Sequence, residues 1–477
     1  MTNQIQGLSF LFPEAILVFF AIGCCLWGVF TNRSALIGTY ALLGVAMSAL
    51  SLPASFGAGK NLFFGMLTND PFSAFFRQVI LIVAGLAIMI SLDYKDLDRA
   101  DLGEYYFFLL TIAVSLMLAA SANNLLMIYI SLESISLVSY IMAGYSKRDI
   151  FSSEAGMKYF LFGAVSTGMT LYGISLIYGL LGTLSLPAIV GQCSTIMSEP
   201  AAGLALLLIL VGFGFKCSLV PFHMWTPDVY QGAPTPMAAL FSVGSKTVGF
   251  AFLLRVFVLT FGKNFESWPL LASMLAIVTM TLGNLTALEQ TNLKRLLAYS
   301  TIAQAGYIFL GLAIATPMGI KAFLFYLFVY ALMNMGAFGA VIIINNSLKS
   351  EQLEDYSGFY RRDPLTAVTF AILLLSLAGL PPLAGFLAKF FIIAAAVEAK
   401  LTVLAGIVVI NSVVAVYYYV RIIKFMFLHE PSGQAAPPGP CRLHLHLVLV
   451  ITAAANLILG LWPHAILGWI TNLLRMG

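Results

Sequence analysis

Apolar stretches of about 20 residues recur along the whole chain, and short polar segments separate them. A helix of about 20 apolar residues crosses roughly 30 Å of hydrocarbon, so each stretch predicts a membrane-spanning helix. We place fourteen of them near residues 8–31, 34–53, 76–93, 105–122, 124–145, 154–182, 203–220, 235–261, 270–288, 296–314, 319–345, 365–397, 401–428 and 446–472. The pattern predicts an all-α polytopic membrane protein.

The composition supports this prediction. Of the 477 residues, 60% are hydrophobic and 9% are charged, whereas roughly 25% of a soluble globular domain is charged. The chain has no GxGxxG turn after a strand, no P-loop and no long polar insertion. We therefore expect it to bind neither a nucleotide nor a nucleic acid, and we expect the lipid bilayer to surround it.

The cysteines and the N-terminus narrow the setting. Cys24, Cys25, Cys193, Cys217 and Cys441 lack the spacing of a metal or iron–sulfur site, so we expect no metal and no cofactor in this chain. The first residues, MTNQIQGLSF, lack the basic segment of a cleavable signal peptide. The simplest expected location is the inner membrane of a bacterial cell.

The loops indicate an orientation, because cytoplasmic loops collect Lys and Arg. If the N-terminus lies outside, the inner loops carry thirteen basic residues, namely Arg33, Lys95, Arg99, Lys147, Arg148, Lys294, Arg295, Lys349, Arg361, Arg362, Arg421, Lys424 and Arg442. The outer segments carry six, namely Lys60, Arg77, Arg255, Lys263, Lys400 and Arg475. This bias predicts fourteen spans with both termini on the periplasmic side.

Two segments of the chain resemble each other. NLLMIYISLES from Asn124 corresponds to NLKRLLAYSTI from Asn292, and GMKYFLFGAVSTGMTLYG from Gly156 corresponds to GIKAFLFYLFVYALMNMG from Gly319. The offset spans five predicted helices, and an odd number of helices inverts the second copy in the membrane. Spans 4–8 and 9–13 are therefore predicted to form two inverted five-helix repeats, an architecture of ion transporters.

Each repeat contains one discontinuous helix. Span 7 breaks at Pro221 in LVPFHMWTPD, and span 12 breaks at Pro381-Pro382 in LPPLAGFLAK, at corresponding places. A broken helix leaves backbone groups that only a protein-lined or hydrated interior can satisfy. We expect four parts: a three-helix segment over 1–100, the two repeats over 101–262 and 263–430, and a cytoplasmic loop with a C-terminal helix over 431–477.

Four ionisable residues well inside predicted spans are the main candidates: Glu133 in span 5, Lys216 in span 7, Lys246 in span 8 and Lys389 in span 12. A charge at the centre of a membrane costs from about 2.5 to over 10 kcal/mol, which favours a functional role. Glu133 and Lys216 belong to one repeat and are expected to be partners. The structural alternatives are a static ion pair, a neutral lysine, or a protonated glutamate bonded to the backbone.

Two further candidates occupy positions that also allow a structural role. Lys158 lies about one turn into span 6 and can extend to the interface. His223 follows Pro221, where it either relays protons near neutral pH or hydrogen-bonds the break. Asp228 is expected to cap or hydrogen-bond the same turn, and Glu14 is expected to extend to the interface from the start of span 1.

Buried lysines suit proton transfer. An ammonium group without water loses its proton more readily, and a nearby carboxylate opposes that loss. A lysine whose distance from a carboxylate changes is therefore a switchable proton site. We interpret the four residues as a row that passes a proton between half-channels opening on opposite faces, with connecting water held by the hydroxyls of Ser242, Ser245, Thr247 and Tyr330.

The segment KCSLVPFHMWTPDVYQGAPTPMAALFSVGSKTVGF resembles the antiporter-like membrane subunits of the proton-pumping NADH:quinone oxidoreductase, respiratory complex I. These subunits also resemble those of multisubunit cation/proton antiporters and membrane-bound hydrogenases. RRDPLTAVTFAILLLSLAGLPPLAGFLAKFFI is most similar to the subunit N branch, because the subunit M branch carries a glutamate in place of Lys389. The resemblance covers roughly residues 100–430 and implies that Glu133, Lys216, Lys246 and Lys389 occupy the family's proton-transfer positions.

The resemblance also implies partners and an energy source. The chain is expected to hold no redox centre and to be driven by quinone reduction in a complex whose other subunits hold FMN, iron–sulfur clusters and quinone. Neighbouring membrane subunits are its expected partners. Two rival readings are a subunit of a Na+/H+ antiporter or membrane-bound hydrogenase, and a structural scaffold whose charges have no function.

Overall fold

The computed structural model describes residues 9–30, 34–55, 61–94, 101–262, 264–430 and 443–476, and these form a helical bundle. Thirteen helices in these ranges are long and apolar enough to cross a membrane. The N-terminal part consists of α1 (Phe12–Phe30), α2 (Ser34–Ser55) and α3 (Pro71–Leu92). A short hairpin of β1 (Asn61–Leu62) and β2 (Leu67–Thr68) precedes α3.

Two helical series follow. The first consists of α4 (Leu102–Ala120), α5 (Leu125–Ala143), α6 (Ile150–Leu181), the short α7 (Leu186–Gln192), α8 (Pro200–Cys217), α9 (Trp225–Gly232) and α10 (Thr235–Thr260). The second consists of α11 (Trp268–Leu288), α12 (Leu293–Ile314), α13 (Pro317–Leu348), α14 (Pro364–Ala378), α15 (Ala384–Glu398) and α16 (Thr402–Leu428). The C-terminal helices are α17 (Leu443–Leu461) and α18 (His464–Met476).

The two series repeat the same arrangement. The helices α4, α5 and α6 have 19, 19 and 32 residues, and α11, α12 and α13 have 21, 22 and 32. Asn124 caps α5 and forms an antiparallel bridge with Ser185, just as Asn292 caps α12 and forms one with Gln352. The inverted repeat that the sequence predicts is therefore also visible in the backbone.

Both predicted breaks are present and have the same backbone geometry. The helix α8 ends at Cys217 because Ser218 has the left-handed φ of 58°, and α14 ends at Ala378 before Gly379, whose φ is 88°. The peptide bonds Val220–Pro221 and Pro381–Pro382 are cis. The helices α14 and α15, at 15 residues each, are too short to cross alone and together form the predicted twelfth span.

Two predicted details are wrong. The last predicted span, 446–472, is two helices, because Pro463 lacks the N–H that would continue α17. Glu14 does not extend to the interface: it is buried and its Oε2 lies 2.7 Å from Arg77 Nη2, a pairing that offsets the cost of burying both charges. The loop segment 431–442 lies outside the described residues, as do Arg33, Lys60, Lys95, Arg99, Lys263 and the first eight residues.

Three helices form the centre of the bundle. Most residues of α10, α12 and α13 are buried, whereas α6 and α16 each expose most of one long face. The helix α10 contains π-helical turns at Phe241–Ser245 and Leu253–Thr260. Such turns are frequent at functional sites, and Lys246 follows the first of them directly.

Candidate functional site

Lys216 lies in the last turn of α8, and its residue is 2% exposed. The sequence places it mid-span, but the helix ends one residue later, where its carbonyl groups favour a cation. Within the described part of the chain, Lys216 Nζ has no hydrogen-bond partner. It faces the rings of Tyr159, Phe215 and Tyr140 at 5.4, 5.7 and 6.0 Å from the ring centroids.

Glu133 shares this site with Lys216 without touching it. It lies on α5, and its Oε1 is buried without a hydrogen-bond partner among the described residues. Glu133 interacts electrostatically with Lys216, but the two groups form no direct ion pair within the described ranges. The structure therefore places the predicted partners in one region without a direct ion pair between them.

Lys246 bridges α10 to the break after α8. It is completely buried, and its Nζ donates hydrogen bonds to Ser218 Oγ at 2.6 Å and Tyr230 OH at 3.3 Å. Thr226 Oγ1 also donates to Ser218 Oγ, at 2.7 Å. The interrupted helix therefore supplies hydroxyl partners for an ammonium group on the neighbouring helix, as the cost of a buried charge requires.

Two aromatic rings occupy the space between the first two lysines. Tyr159 and Trp225 stack with centroids 4.3 Å apart and an interplanar angle of 4°. Tyr159 faces Lys216, and the Trp225 ring lies 5.8 Å from Lys246 Nζ. The ring faces attract cations, so each of the two ammonium groups lies near one ring of this stack.

Lys389 bridges the second break. It lies on α15, is 4% exposed, and its Nζ donates to the carbonyl oxygen of Ala378, the last residue of α14, at 2.8 Å. The Tyr307 ring lies 4.7 Å from the same nitrogen. Gln304 Nε2 donates to Leu377 O at 3.0 Å. Side chains thus satisfy two carbonyl groups that the end of α14 leaves free.

Polar side chains of the central helices occupy the region between Lys246 and Lys389. Near Lys246, Tyr330 OH donates to Ser242 O at 3.1 Å, and Asn334 Nδ2 donates to Ser242 Oγ at 2.5 Å and to Tyr330 OH at 3.1 Å. We call Ser242, Tyr330 and Asn334 the first polar node.

A second polar node lies nearer Lys389 and consists of Ser300, Gln304, Tyr326 and Tyr419. Tyr326 OH donates to Gln304 Oε1 at 2.6 Å, and Gln304 Nε2 donates to Tyr419 OH at 3.3 Å. The hydroxyls of Ser300 and Tyr419 are 2.5 Å apart. Tyr326 and Tyr330 are one turn apart on α13, so the two nodes are adjacent. The first node includes Ser242, one turn before Lys246 on α10. The second reaches the end of α14, where Gln304 bonds Leu377 O and Lys389 bonds Ala378 O.

Sequence reasoning missed most of these groups. It identified Ser242 and Tyr330. It also named Thr247, but Thr247 Oγ1 donates to the Val243 carbonyl oxygen of its own helix at 2.8 Å. A signal was present: Tyr326, Tyr330 and Asn334 recur every four residues on α13, and Ser300, Gln304 and Tyr307 do so at helical spacing on α12. Polar residues at helical spacing in an apolar span indicate an inward stripe.

The structure places the two secondary candidates in different surroundings. Lys158 Nζ lies 2.7 Å from Asp228 Oδ2 and 2.7 Å from Glu154 Oε1. Asp228 also accepts from Arg295 Nη1 at 2.8 Å, so it bonds charged side chains and not the turn. His223 is half-buried after Pro221, and its Nδ1 has no hydrogen-bond partner among the described residues.

Asp228 lies outside the long spans, and its surroundings set its charge. Burial raises the pKa of its carboxyl group. The hydrogen bonds from Lys158 and Arg295 lower this pKa by more than burial raises it, so the pKa lies below the usual 3.8. The carboxylate is therefore ionised near neutral pH. Its position beside two cations, and not the turn chemistry that the sequence suggested, explains why an acid is found here.

Inverted helical repeats, paired broken helices and a buried row of lysines define an antiporter-like membrane protein. Residues 122–415 match the family described as "NADH:quinone oxidoreductase/Mrp antiporter, TM". The chain belongs to this family, and the resemblance inferred from its sequence motifs is confirmed.

Named relatives agree with this assignment. The NADH-quinone oxidoreductase subunit N of Anaeromyxobacter sp. is 40% identical and covers 92% of this chain and 90% of that protein. The subunit N of Trichlorobacter lovleyi is 39% identical and covers 97% and 96%. A chain of respiratory complex I from Thermus thermophilus, solved with bound aureothin, superposes with a TM-score of 0.79 at 34% identity, covering 96% of this chain and 98% of that one.

Proposed function

We propose that this chain is the proton-translocating subunit N of a NADH:quinone oxidoreductase. In this proposal a proton moves along the row Glu133, Lys216, Lys246 and Lys389, and quinone reduction elsewhere in the complex drives it. One observation carries the proposal. Buried ammonium groups lie at the two breaks, and the two polar nodes, built from helices of both repeats, lie in the centre of the bundle near them.

The first step uses the unbonded pair. Lys216 has no hydrogen-bond partner within the described residues, so its affinity for a proton depends on the distance to Glu133 and on the surrounding rings. When a change from the quinone end moves Glu133 closer, Lys216 holds its proton. When Glu133 moves away, Lys216 releases the proton towards Lys246.

The later steps use hydroxyl groups. A hydroxyl passes a proton by accepting one and donating another, and Tyr230, Tyr330, Tyr326 and Tyr419 are placed between Lys246 and Lys389. The Gln304 amide orients two of these hydroxyls. Lys389 then releases the proton to the outside and is reloaded from the cytoplasmic side.

The remaining assignments follow the same proposal. Residues 101–262 and 263–430 each form one half-channel, 1–100 is the N-terminal three-helix segment, and both termini face the periplasm across a bacterial inner membrane. Neighbouring membrane subunits of the complex are the partners. FMN, iron–sulfur clusters and quinone belong to other subunits. Within the described residues, no group of three or more His, Cys, Asp or Glu side chains is placed to hold a metal ion.

Mutation of the first pair tests the proposal. Glu133→Gln and Lys216→Met are each expected to lower proton pumping and the coupled quinone reductase activity of the assembled complex in membrane vesicles. Wild-type rates for both variants, with normal amounts of complex, would overturn it. Wild-type pumping after all four residues of the row are neutralised would favour a scaffold.

The rival function is a subunit of an ion-gradient-driven Na+/H+ antiporter or a membrane-bound hydrogenase. The buried charges would look the same in the antiporter, so mutation of the row does not separate these readings. Purification of the native complex does, because the proposed function requires flavin and iron–sulfur absorbance together with NADH oxidation. Na+/H+ exchange without those chromophores would establish the antiporter instead.

A further inference from the structure

The charge cluster around Asp228 connects three helices. Asp228 lies on α9, its Oδ2 accepts from Lys158 on α6 at 2.7 Å, and its Oδ1 accepts from Arg295 on α12 at 2.8 Å. Arg295 Nη1 also donates to Gln231 Oε1 on α9, at 3.1 Å. Since α6 belongs to the first repeat and α12 to the second, α9 is attached to both repeats by charged hydrogen bonds.

The same short helix carries the partners of Lys246. Tyr230, two residues after Asp228, accepts a hydrogen bond from Lys246 Nζ at 3.3 Å. Thr226, two residues before it, donates to Ser218 Oγ, the other partner of Lys246. Trp225 Nε1 donates to Phe215 O at 3.0 Å. An eight-residue helix held at both ends moves as one piece, so a shift at Asp228 is carried to the Lys246 site.

The repeat relation places a charge at the same point in both broken helices. In the alignment of LVPFHMWTPD with LPPLAGFLAK, Asp228 falls opposite Lys389. Lys389 bonds the end of α14 and belongs to the row. Asp228 instead bonds cations of two other helices, beside a cavity of about 160 Å³ that Lys158, Asp228 and Arg295 help to line. In the first repeat, the residue at this position therefore attaches the second half of the broken helix, α9, to α6 and α12.

We propose that Asp228 is a positioning residue that ties α9 to both repeats and thereby sets the hydrogen bonds of Lys246 during proton transfer. This inference rests on the proposed function, because it assigns Lys246 a role in the row. A change in the relative position of α6 and α12 moves Asp228, and α9 converts that movement into a change of the Lys246 environment. Coupling between the repeats then passes through a defined carboxylate.

The test uses the whole complex in inverted membrane vesicles, with pumping followed by a pH-sensitive dye at a fixed rate of NADH oxidation. Asp228→Asn keeps the shape but removes the charge, and we expect about five-fold slower pumping, within the range for coupling networks. Asp228→Glu is expected to recover most of the rate. Glu154→Gln is the matched control: Glu154 bonds the same Lys158, but its side chain is 53% exposed and it lies on α6, so near wild-type pumping is expected.

A double-mutant cycle separates positioning from a general loss of structure. If Asp228 acts through α9, the double variant Asp228→Asn with Tyr230→Phe should pump as fast as the slower of the two single variants. Independent five-fold effects would instead multiply to about 25-fold, and that result would overturn the inference. If Asp228→Asn reduces assembly, Arg295→Gln provides the same cycle while leaving Asp228 bonded to Lys158.

The proposed function and this inference fail in different ways. Wild-type pumping by Asp228→Asn and Arg295→Gln, with Glu133→Gln and Lys216→Met impaired, would overturn only the positioning role. Wild-type pumping by Glu133→Gln and Lys216→Met would overturn the proposed function itself.

Discussion

Replacing Lys246 with methionine tests the row at its centre. Methionine has nearly the volume of the lysine side chain, so the substitution leaves no cavity. It removes the two hydrogen bonds to Ser218 and Tyr230, each worth about 1.5–3 kcal/mol when one partner is charged. Ser218 keeps its bond from Thr226, and the cost of burying an ammonium group disappears, so the protein should remain folded and assembled.

The functional loss should be much larger than the structural one. A correctly placed acid–base group contributes about 10²- to 10⁴-fold to a proton transfer, and methionine can neither accept nor donate a proton. We therefore expect translocation through this subunit to slow by at least about 100-fold, which corresponds to about 2.7 kcal/mol in the barrier. Quinone reduction should slow with it wherever the two processes are tightly coupled.

The assay is proton uptake by the purified complex in liposomes, driven by NADH and a short-chain quinone and normalised to the flavin content. Lys424→Met is the matched control, because it makes the same substitution at an exposed position of α16 and should leave the rate unchanged. Normal pumping by Lys246→Met in an assembled complex would show that the proton does not need this residue and would refute the reasoning.

Three further predictions follow from the same contacts. Gln304→Leu removes the hydrogen-bond partner of Tyr326 OH and Leu377 O. It should slow pumping about ten-fold, since misplacement of a reacting group by about 1 Å can cost up to about a hundred-fold in rate. An unchanged pumping rate in the liposome assay would contradict this prediction. Arg255→Gln breaks the two bonds to Asp70 at 2.9 and 3.2 Å and should cost about 1–3 kcal/mol, seen as a lower Tm with unchanged pumping per assembled complex. The pKa of Asp228 is lowered from 3.8, so its contribution to stability is complete above that pH and is lost only as the pH falls below it. Between pH 6 and 8 the Tm should therefore change with pH by the same amount in the wild type and in Asp228→Asn.

The sequence by itself determined the helical membrane fold, the repeat and the two breaks. Apolar runs of sufficient length leave the backbone no alternative to helices in hydrocarbon, and proline enforces the interruptions at Pro221 and Pro381-Pro382. Glu133, Lys216, Lys246 and Lys389 were also recognisable from the sequence, because charges are rare inside spans and each one needs a reason.

Only the tertiary structure decided which polar groups meet. Gln304, Tyr326 and Tyr419 are far apart in sequence, and no local pattern states that α12, α13 and α16 bring them together. The pairing of Glu14 with Arg77 and of Asp228 with Lys158 and Arg295 was likewise mispredicted. Hydrophobicity fixes that a helix is buried but not which side chain it faces, because lipid and protein interiors are equally apolar. The separation that leaves Lys216 unbonded beside Glu133, on which the proposed switch depends, is therefore a property of the packed bundle.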